Sequence, residues 1–537
     1  MVTNHTGSTN MGSSQKSRSP LVCIVGAGMT GICACKHLLQ HGIRPVVLEA
    51  QSEIGGVWRQ TFASTKLQTP RDSFQFSDYL WPPGTPVYPT HVDVKQYLHS
   101  YASKFGVLDC IRFKCKVLQI AQISGPRDEL RPHLGNCLDA ESVNKDCGWA
   151  ICVQVDSSGN HLDADDNVNW LYFDFLILCI GRYGDIPKLP TYPPSKGPDV
   201  FRGKVLHSIE YANLDDNSVR SLVHNKRVVV VGMMKSALDL AMEASNANQG
   251  KNGHPCTMIF RSAHWMRPDN RTFSLIMSYL YATRFSELMI PKPEQGLLLS
   301  IISTFLTPMR WGISKFVEMF LLYSLPLRQF GLVPEETFFE QYASCQLPAI
   351  PESFFERVQE GHIKLCKTRN WGFFENGIVL EDGRQIEADV VILGTGYDGE
   401  KKLMSLLQKT EYTKLQNSEG GIPLYRGLIH PHIQNLAIMG FNEALSNLYA
   451  SEMGARWLAH LLSGKFTLPS IEIMEKMSQK WNEYIKNATP FHQRSCIGAI
   501  SIWYSDQVCH DLGWNPRRKR NIFQELFAPY SNMDYRD

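Results

Sequence analysis

The chain has 537 residues, too many for one ordinary hydrophobic core, so two to four domains are expected, with two large ones as the starting point. Its 43% hydrophobic and 20% charged residues exclude wholesale disorder, which needs low hydrophobicity and high net charge. Lys+Arg 54 against Asp+Glu 52 leaves a formal charge of +2 and no general pull toward nucleic acid, and the 14 cysteines show no CxxC pair or Cys/His metal spacing, so reduced thiols are expected without disulfide framework or metal.

The first 20 residues are rich in Ser, Thr, Asn and Gly, lack the apolar stretch of a secretory signal, and are expected to form a disordered tail. Leu21 to Val25 reads as a short buried strand. It leads into Gly26, Ala27, Gly28, Met29, Thr30 and Gly31, then a segment of helical length ending at Gly42, then a second apolar run from Pro45 to Ala50. Strand, glycine-rich turn, helix, strand and acid in this order is the context in which GxGxxG marks a dinucleotide site. Gly26 suits the sharp turn, Gly28 removes a side chain where backbone N–H groups must approach a pyrophosphate, and Gly31 lets the helix lie against its strand. Glu49, near the end of the second run, stands where a carboxylate accepts ribose hydroxyls and disfavours a 2′-phosphate, so this unit suits FAD or NAD better than NADP. Gly55, Gly56, Val57 and Trp58 follow. Paired glycines allow close backbone approach and the Trp can cover a flavin, but a glycine turn with a packed Trp is an equal reading of these residues alone.

A second unit begins at Val228. Its turn reads Gly232, Met233, Met234, Lys235, Ser236, Ala237, and aligning it on GxGxxG puts Met234 at the second glycine and Ala237 at the third, where Ala is normal. Lys235 and Ser236 offer a cation and a hydroxyl to a phosphate. The strand that follows, Cys256 to Arg261, ends in Arg261, the residue type that pairs with a 2′-phosphate. The turn alone leaves two readings open, an NADPH site with an altered turn or a packing unit without ligand, and Arg261 favours the first.

Leu297 to Leu327 is the most apolar region, but Pro308, Arg310, Lys315, Glu318 and Pro326 interrupt it before a run of about 20 apolar residues is reached. A helical insertion whose apolar faces pack on the rest of the protein is expected, with a membrane surface as the alternative. Near the end, Pro516 to Arg520 (PRRKR) is a basic run expected on a solvated face, with a nuclear or anionic-membrane address as alternatives.

Phe201, Gly203, His207 and Tyr211 lie between the two units, and this spacing resembles the FxGxxxHxxxF/Y fingerprint of flavin-containing monooxygenases. His207 reads as a satisfied structural histidine with no proton-transfer role. The resemblance continues in GRYGDIPKLP after FDFLILCI, in ADVVILGTGYD from Ala388, and in LYRGLIHPHIQNLAIMGF from Leu424; it covers Leu21 to about His460 and looks most like a plant branch that includes pipecolate N-hydroxylating enzymes. It implies an enzyme in which NADPH reduces FAD and dioxygen forms a flavin carbon-4a hydroperoxide that oxygenates a nucleophilic nitrogen or sulfur of a small amine, amino acid or thioether. Counting back from Phe76, Ser77 and Asp78, Gln68 falls where many family members place an active-site Asn; Gln keeps the amide but adds a methylene. Tyr211 stands where Baeyer–Villiger relatives carry Trp, which favours heteroatom oxygenation. Residues 57 to 75 contain no Cys, which argues against a disulfide reductase. An uncoupled NADPH oxidase and a non-catalytic flavin-binding module remain the alternatives.

The expected fold is therefore α/β with two Rossmann-like dinucleotide-binding domains in three layers: an FAD domain over 21–185 and 388–537, and an NADPH domain over 186–387 with a helical insertion at about 265–345. No transmembrane segment is expected, and the expected location is cytoplasmic or at the endoplasmic reticulum surface.

Overall fold

A computed structural model describes residues 19–124, 147–155, 168–249, 253–268, 270–408, 410, 423–488 and 496–536. The expected disordered tail lies outside these residues apart from its last two positions. The first unit is a six-stranded sheet ordered Ile429–His430, Ile433–Ile438, Phe175–Leu178, Val22–Val25, Val46–Leu48, Ile111–Arg112, parallel throughout except for its first pair. Val22–Val25 is buried at every position, as a central parallel strand covered on both faces must be. The helix Met29–Gln40 crosses from Val22–Val25 to Val46–Leu48 and packs along the late helix Asn447–Leu462, so residues more than 400 positions apart form one core.

The second unit is a five-stranded parallel sheet ordered Ile363–Lys367, Cys256–Phe260, Val228–Val231, Val390–Leu393, Lys204–His207. Val390–Leu393 pairs with Val228–Val231 inside this sheet, so the second unit runs past its expected end at 387. The chain passes between units twice, and the two passages lie side by side. Pro187 and Tyr397 form an antiparallel bridge, Lys188 N–H donates to Gly396 O at 2.9 Å, and Asp398 N–H donates to Ile186 O at 2.9 Å. Gly399 must be glycine here, because a Cβ would sit 2.7 Å from Arg182 O.

Two expectations need correction. Cys345 and Cys496, 151 positions apart, are joined by a disulfide with Cα atoms 5.8 Å apart. Their proximity comes from the long-range fold, where Glu443 and Cys496 form a parallel bridge, and no local spacing announces it. The helical insertion is present as Arg271–Tyr281, Arg284–Leu288, Leu297–Phe305, Thr307–Ser324 and Phe338–Ala343, but many of its apolar side chains point outward instead of onto the protein.

Candidate active site

The two nucleotide turns are built on one plan. Gly26 N–H donates to Leu48 O at 2.8 Å, and Gly232 N–H donates to Ile259 O at 2.8 Å, each tying the turn to the end of the neighbouring strand. Both residues have positive φ, +101° and +135°, which favours glycine in each. A Cβ on Gly26 would lie 2.6 Å from Cys179 O, and one on Gly232 would lie 2.5 Å from Gly394 O, the corresponding strand end. The units differ in where they keep their bulk. In the first, Gly31 faces Cys179; in the second, Ala237 faces Gly394, whose own Cβ would come within 2.9 Å of the Ala237 methyl. Ala237 is therefore compatible with a close helix because the opposing strand end has given up its side chain.

Met234 preserves the shape of the turn. Gly28 has φ −73° and ψ −179°, and Met234 has φ −92° and ψ 178°, both ordinary extended conformations open to any residue. Gly28 is thus not needed for backbone freedom; it faces Gly56, which has φ +56° and whose own Cβ would approach Gly28 Cα to 3.1 Å. Gly55 N–H donates to Ala27 O at 3.1 Å, so the paired-glycine turn lies directly on the first nucleotide turn. The helix starts Met29–Gln40 and Lys235–Ala247 both lack a side-chain cap and any acid in the first turn, which leaves N–H groups and the positive end of the helix dipole for an anion. Thr30 donates to or accepts from Ser451 at 3.0 Å.

Glu49 is buried at the end of Val46–Leu48, where its carboxylate accepts from Ala27 N–H at 2.7 Å and Gln51 N–H at 2.9 Å. These bonds hold it beside the turn and leave further lone pairs for a ribose. Val57 is exposed, while Trp58 is partly buried edge-on against Phe74 at 5.8 Å. Arg261 is exposed one residue past Cys256–Phe260, with no ion pair or side-chain hydrogen bond among the described residues. Met233 is buried and belongs to the core of the second unit.

Lys235 corrects an expectation. Its ammonium turns along its own helix to the carboxylate of Asp239 at 2.5 Å, so it is not extended toward a pyrophosphate. Burial pushes the Asp239 carboxyl up to about 6, against the opposing pull of Lys235. Asp239→Asn is expected to release Lys235 and tighten NADP⁺ binding about fivefold at neutral pH, the worth of one net hydrogen bond. The gap from the parent should close as the pH falls through about 6, where Asp239 takes up its proton; titrating both proteins across that range checks it, and a variant that binds no tighter would show that Lys235 does not reach the nucleotide.

Gln68 lies in a loop fastened to the second unit. Its side-chain carbonyl accepts from Ala349 N–H at 3.2 Å, its backbone carbonyl accepts from Arg267, and its amide N–H groups make no hydrogen bond among the described residues. The same loop is held by a group that sequence reasoning missed. Glu243, on the Lys235–Ala247 helix, accepts from Ser64 N–H at 3.0 Å, Ser64 Oγ at 2.5 Å and Tyr211 O–H at 2.9 Å. Tyr211 of the fingerprint also packs edge-on against Phe62. His207 is buried, its Nδ1 accepts from Ile209 N–H at 3.2 Å, and its ring meets Tyr397 edge-on, so burial keeps it neutral in a structural role at the passage between units. Gly203 is required because a Cβ would strike the Phe201 ring at 2.3 Å. The fingerprint therefore joins the passage, the second nucleotide helix and the Gln68 loop. The only signals for Glu243 and Ser64 are lone polar residues 179 positions apart, which carry no motif.

The family model "Flavin-binding monooxygenase-like" matches residues 19–127 and 138–528. The chain is 40% identical over 527 residues to "Probable flavin-containing monooxygenase 1" of Arabidopsis thaliana, covering 97% of each. The structure resembles "Oxidized steroid monooxygenase bound to NADP", with TM-score 0.62, 18% identity and coverage of 92% and 98%. It also resembles the S-allyl-L-cysteine S-oxygenase from Allium sativum, with TM-score 0.55, 17% identity and coverage of 92% and 89%.

Proposed function

The chain belongs to the flavin-binding monooxygenase-like family, and from that membership we propose that it binds FAD at the first turn and NADPH at the second and oxygenates a nucleophilic nitrogen or sulfur of a small molecule. The observation that carries the assignment of the two turns is their common geometry with opposite chemistry at the strand ends, a buried carboxylate, Glu49, in one and an unpaired guanidinium, Arg261, in the other. A carboxylate accepts two ribose hydroxyls and a guanidinium grips a 2′-phosphate.

The residues fit these groups. Gly26, Ala27, Gly28, Met29, Thr30 and Gly31 present uncapped N–H groups beside Gly56, whose Cβ would come within 3.1 Å of Gly28 Cα, and Val57 and Trp58 continue that paired-glycine turn. Gly232, Met233, Met234, Lys235, Ser236 and Ala237 form the second turn. When bound, the flavin supplies the electron transfer and oxygen activation, which no side chain supplies. The protein's share is positional. Glu49 fixes the orientation of the adenosine, Arg261 selects the phosphorylated cofactor, and the Ser64–Glu243–Tyr211 hydrogen bonds hold the Gln68 loop against the second unit. There the free amide N–H groups of Gln68 are available as donors for a reacting oxygen or the nicotinamide amide. The finer reading is N-hydroxylation of a cyclic amino acid such as pipecolate, supported by the branch likeness and by Tyr211 in place of Trp.

Anaerobic mixing of the yellow protein with NADPH is expected to bleach the flavin, and admission of air with pipecolate to yield hydroxylated product in proportion to NADPH consumed. Failure to bleach would overturn the enzyme assignment. Bleaching followed only by hydrogen peroxide release would remove the substrate and leave an oxidase.

A further inference from the structure

We propose that Cys345 and Cys496 form a thiol–disulfide exchange site, open to a dithiol at Cys345, whose state sets how firmly the Gln68 loop is held. Its bearing on catalysis rests on the proposed function; its bearing on the loop does not.

The bond stands where the two units meet beside the candidate active site. Cys345 follows the helix Phe338–Ala343 of the second unit, and Cys496 leads toward the helix Ser501–Asp511, whose Ile502, Val508 and Cys509 lie in the core of the first. It is thus a covalent tie between the units in addition to the two backbone passages. On the Cys496 side, Ile497 N–H donates to Glu443 O at 2.7 Å, and the Glu443 carboxylate accepts from Tyr183 O–H, in the first passage, at 2.5 Å. On the Cys345 side, Ala349 N–H donates to the Gln68 side chain at 3.2 Å. Arg267 closes the same turn: its N–H donates to Pro348 O at 2.9 Å, its carbonyl accepts from Ile350 N–H at 3.0 Å, and its guanidinium donates to Gln68 O. The disulfide therefore fixes one end of a short segment, 345–350, whose other end fixes Gln68. Beside the bond, Tyr342 O–H donates to Gly498 O at 3.4 Å, long for a hydroxyl donor and a weak hold without the covalent link.

The two sulfurs are unequal, as exchange requires. Cys345 is partly exposed, whereas Cys496 is buried. Gly498 N–H donates to Cys496 Sγ at 3.3 Å, and Gly498 puts no side chain over the bond, where a Cβ would lie 3.5 Å from Cys345 Sγ. A thiolate that attacks Cys345 Sγ breaks the S–S bond and expels Cys496 as a thiolate with a backbone donor already on it, which makes it the better leaving group. Cys496 takes up a proton, and the second thiol of the dithiol displaces Cys345 from the mixed disulfide. Two electrons and two protons pass to the protein, and the dithiol becomes a disulfide. Cys345 also has φ +55°, in the left-handed region after a helix end, where glycine is the usual residue. A cysteine at this place serves its sulfur and not the backbone. Once the bond is reduced, the 345–350 segment is released at one end, and the partner that holds the Gln68 carbonyl is no longer fixed.

Full-length, flavin-loaded protein purified in air is expected to resist alkylation at Cys345 and Cys496 until it is treated with dithiothreitol. After treatment and removal of the reagent, amide hydrogen exchange over 66–69 and 346–350 should be about threefold faster, the worth of one net hydrogen bond. Hydrogen peroxide released per NADPH consumed should rise by about the same factor, with flavin content and the rate of anaerobic flavin reduction unchanged. Cys345→Ser/Cys496→Ser should show the reduced values before treatment and not respond to it. Cys366→Ser, which removes a partly exposed free thiol, should respond as the parent does. If the double variant fails to fold, the reduced parent carries the same test. Free alkylation of both cysteines without reductant would overturn the proposal, as would exchange or peroxide release that reduction leaves unchanged, or a double variant that still responds. A parent that does not bleach with NADPH would overturn the proposed function instead, and the alkylation and exchange measurements would still decide the site.

Discussion

Replacing Gly31 with Ala is expected to yield colourless, destabilised protein. The added Cβ would lie 1.9 Å from Gly26 O and 3.4 Å from the Cys179 Cβ, and the first of these neighbours is backbone in a turn that Gly26, at φ +101°, already holds in a conformation rare for other residues. The helix Met29–Gln40 must then move off its strand by more than an ångström, taking with it the uncapped N–H groups proposed to face the flavin cofactor. Overpacking of this kind costs about 3 kcal/mol, enough to lose both flavin affinity and several degrees of thermal stability. The second unit holds Ala at the same place, but opposite Gly394, so the chemistry of the substitution is tolerable and only its setting is not. The flavin-to-protein absorbance ratio and the melting temperature measure the outcome. Full flavin content in Gly31→Ala would mean that the first helix can take up the wider spacing of the second.

The two nucleotide units and their order were legible because each is a local pattern: a buried strand, a turn with glycine at a position of positive φ, a helix, and a strand ending in a charged residue. Gly26, Gly31, Glu49, Gly232 and Arg261 all sit at places those patterns specify. The α/β architecture followed from the same units. What escaped were relations between distant residues. Lys235 has a partner one helical turn away, Asp239, and which of phosphate or carboxylate it meets depends on the burial of that acid. The Cys345–Cys496 bond depends on two segments that meet only after both units have formed. The reversed polarity of the insertion was concealed by composition, since an apolar helix that packs inward and one that faces out have the same residues. Only the buried Ser303, Ser314 and Glu318 reveal which way it turned. Gln68 was placed by counting along a resembled pattern, and its tie to Ala349 required the fold.

Arg261→Ala is expected to lower kcat/KM for NADPH by about 10- to 100-fold while leaving NADH nearly unchanged, since a charge-assisted hydrogen bond to a phosphate contributes about 1.5–3 kcal/mol. The structure makes the test discriminating. Arg261 is exposed and unpaired among the described residues, so its removal leaves no buried partner stranded and should not alter folding. Arg261→Lys should retain part of the preference, as a point charge replaces a bidentate fork. Because the contact is at the surface, the preference for NADPH should also weaken with added salt in the parent and respond less in the alanine variant. Measuring flavin reduction rates with both nucleotides separates this step from oxygen chemistry. Equal loss for NADPH and NADH would mean that Arg261 shapes the strand end without meeting the 2′-phosphate. Met234, Lys235 and the helix start would then have to carry recognition alone, and with Lys235 held by Asp239 and Met234 apolar, little in that turn distinguishes one nucleotide from the other. On the proposed assignment, selectivity between the two cofactors would rest on the guanidinium at the end of the second strand.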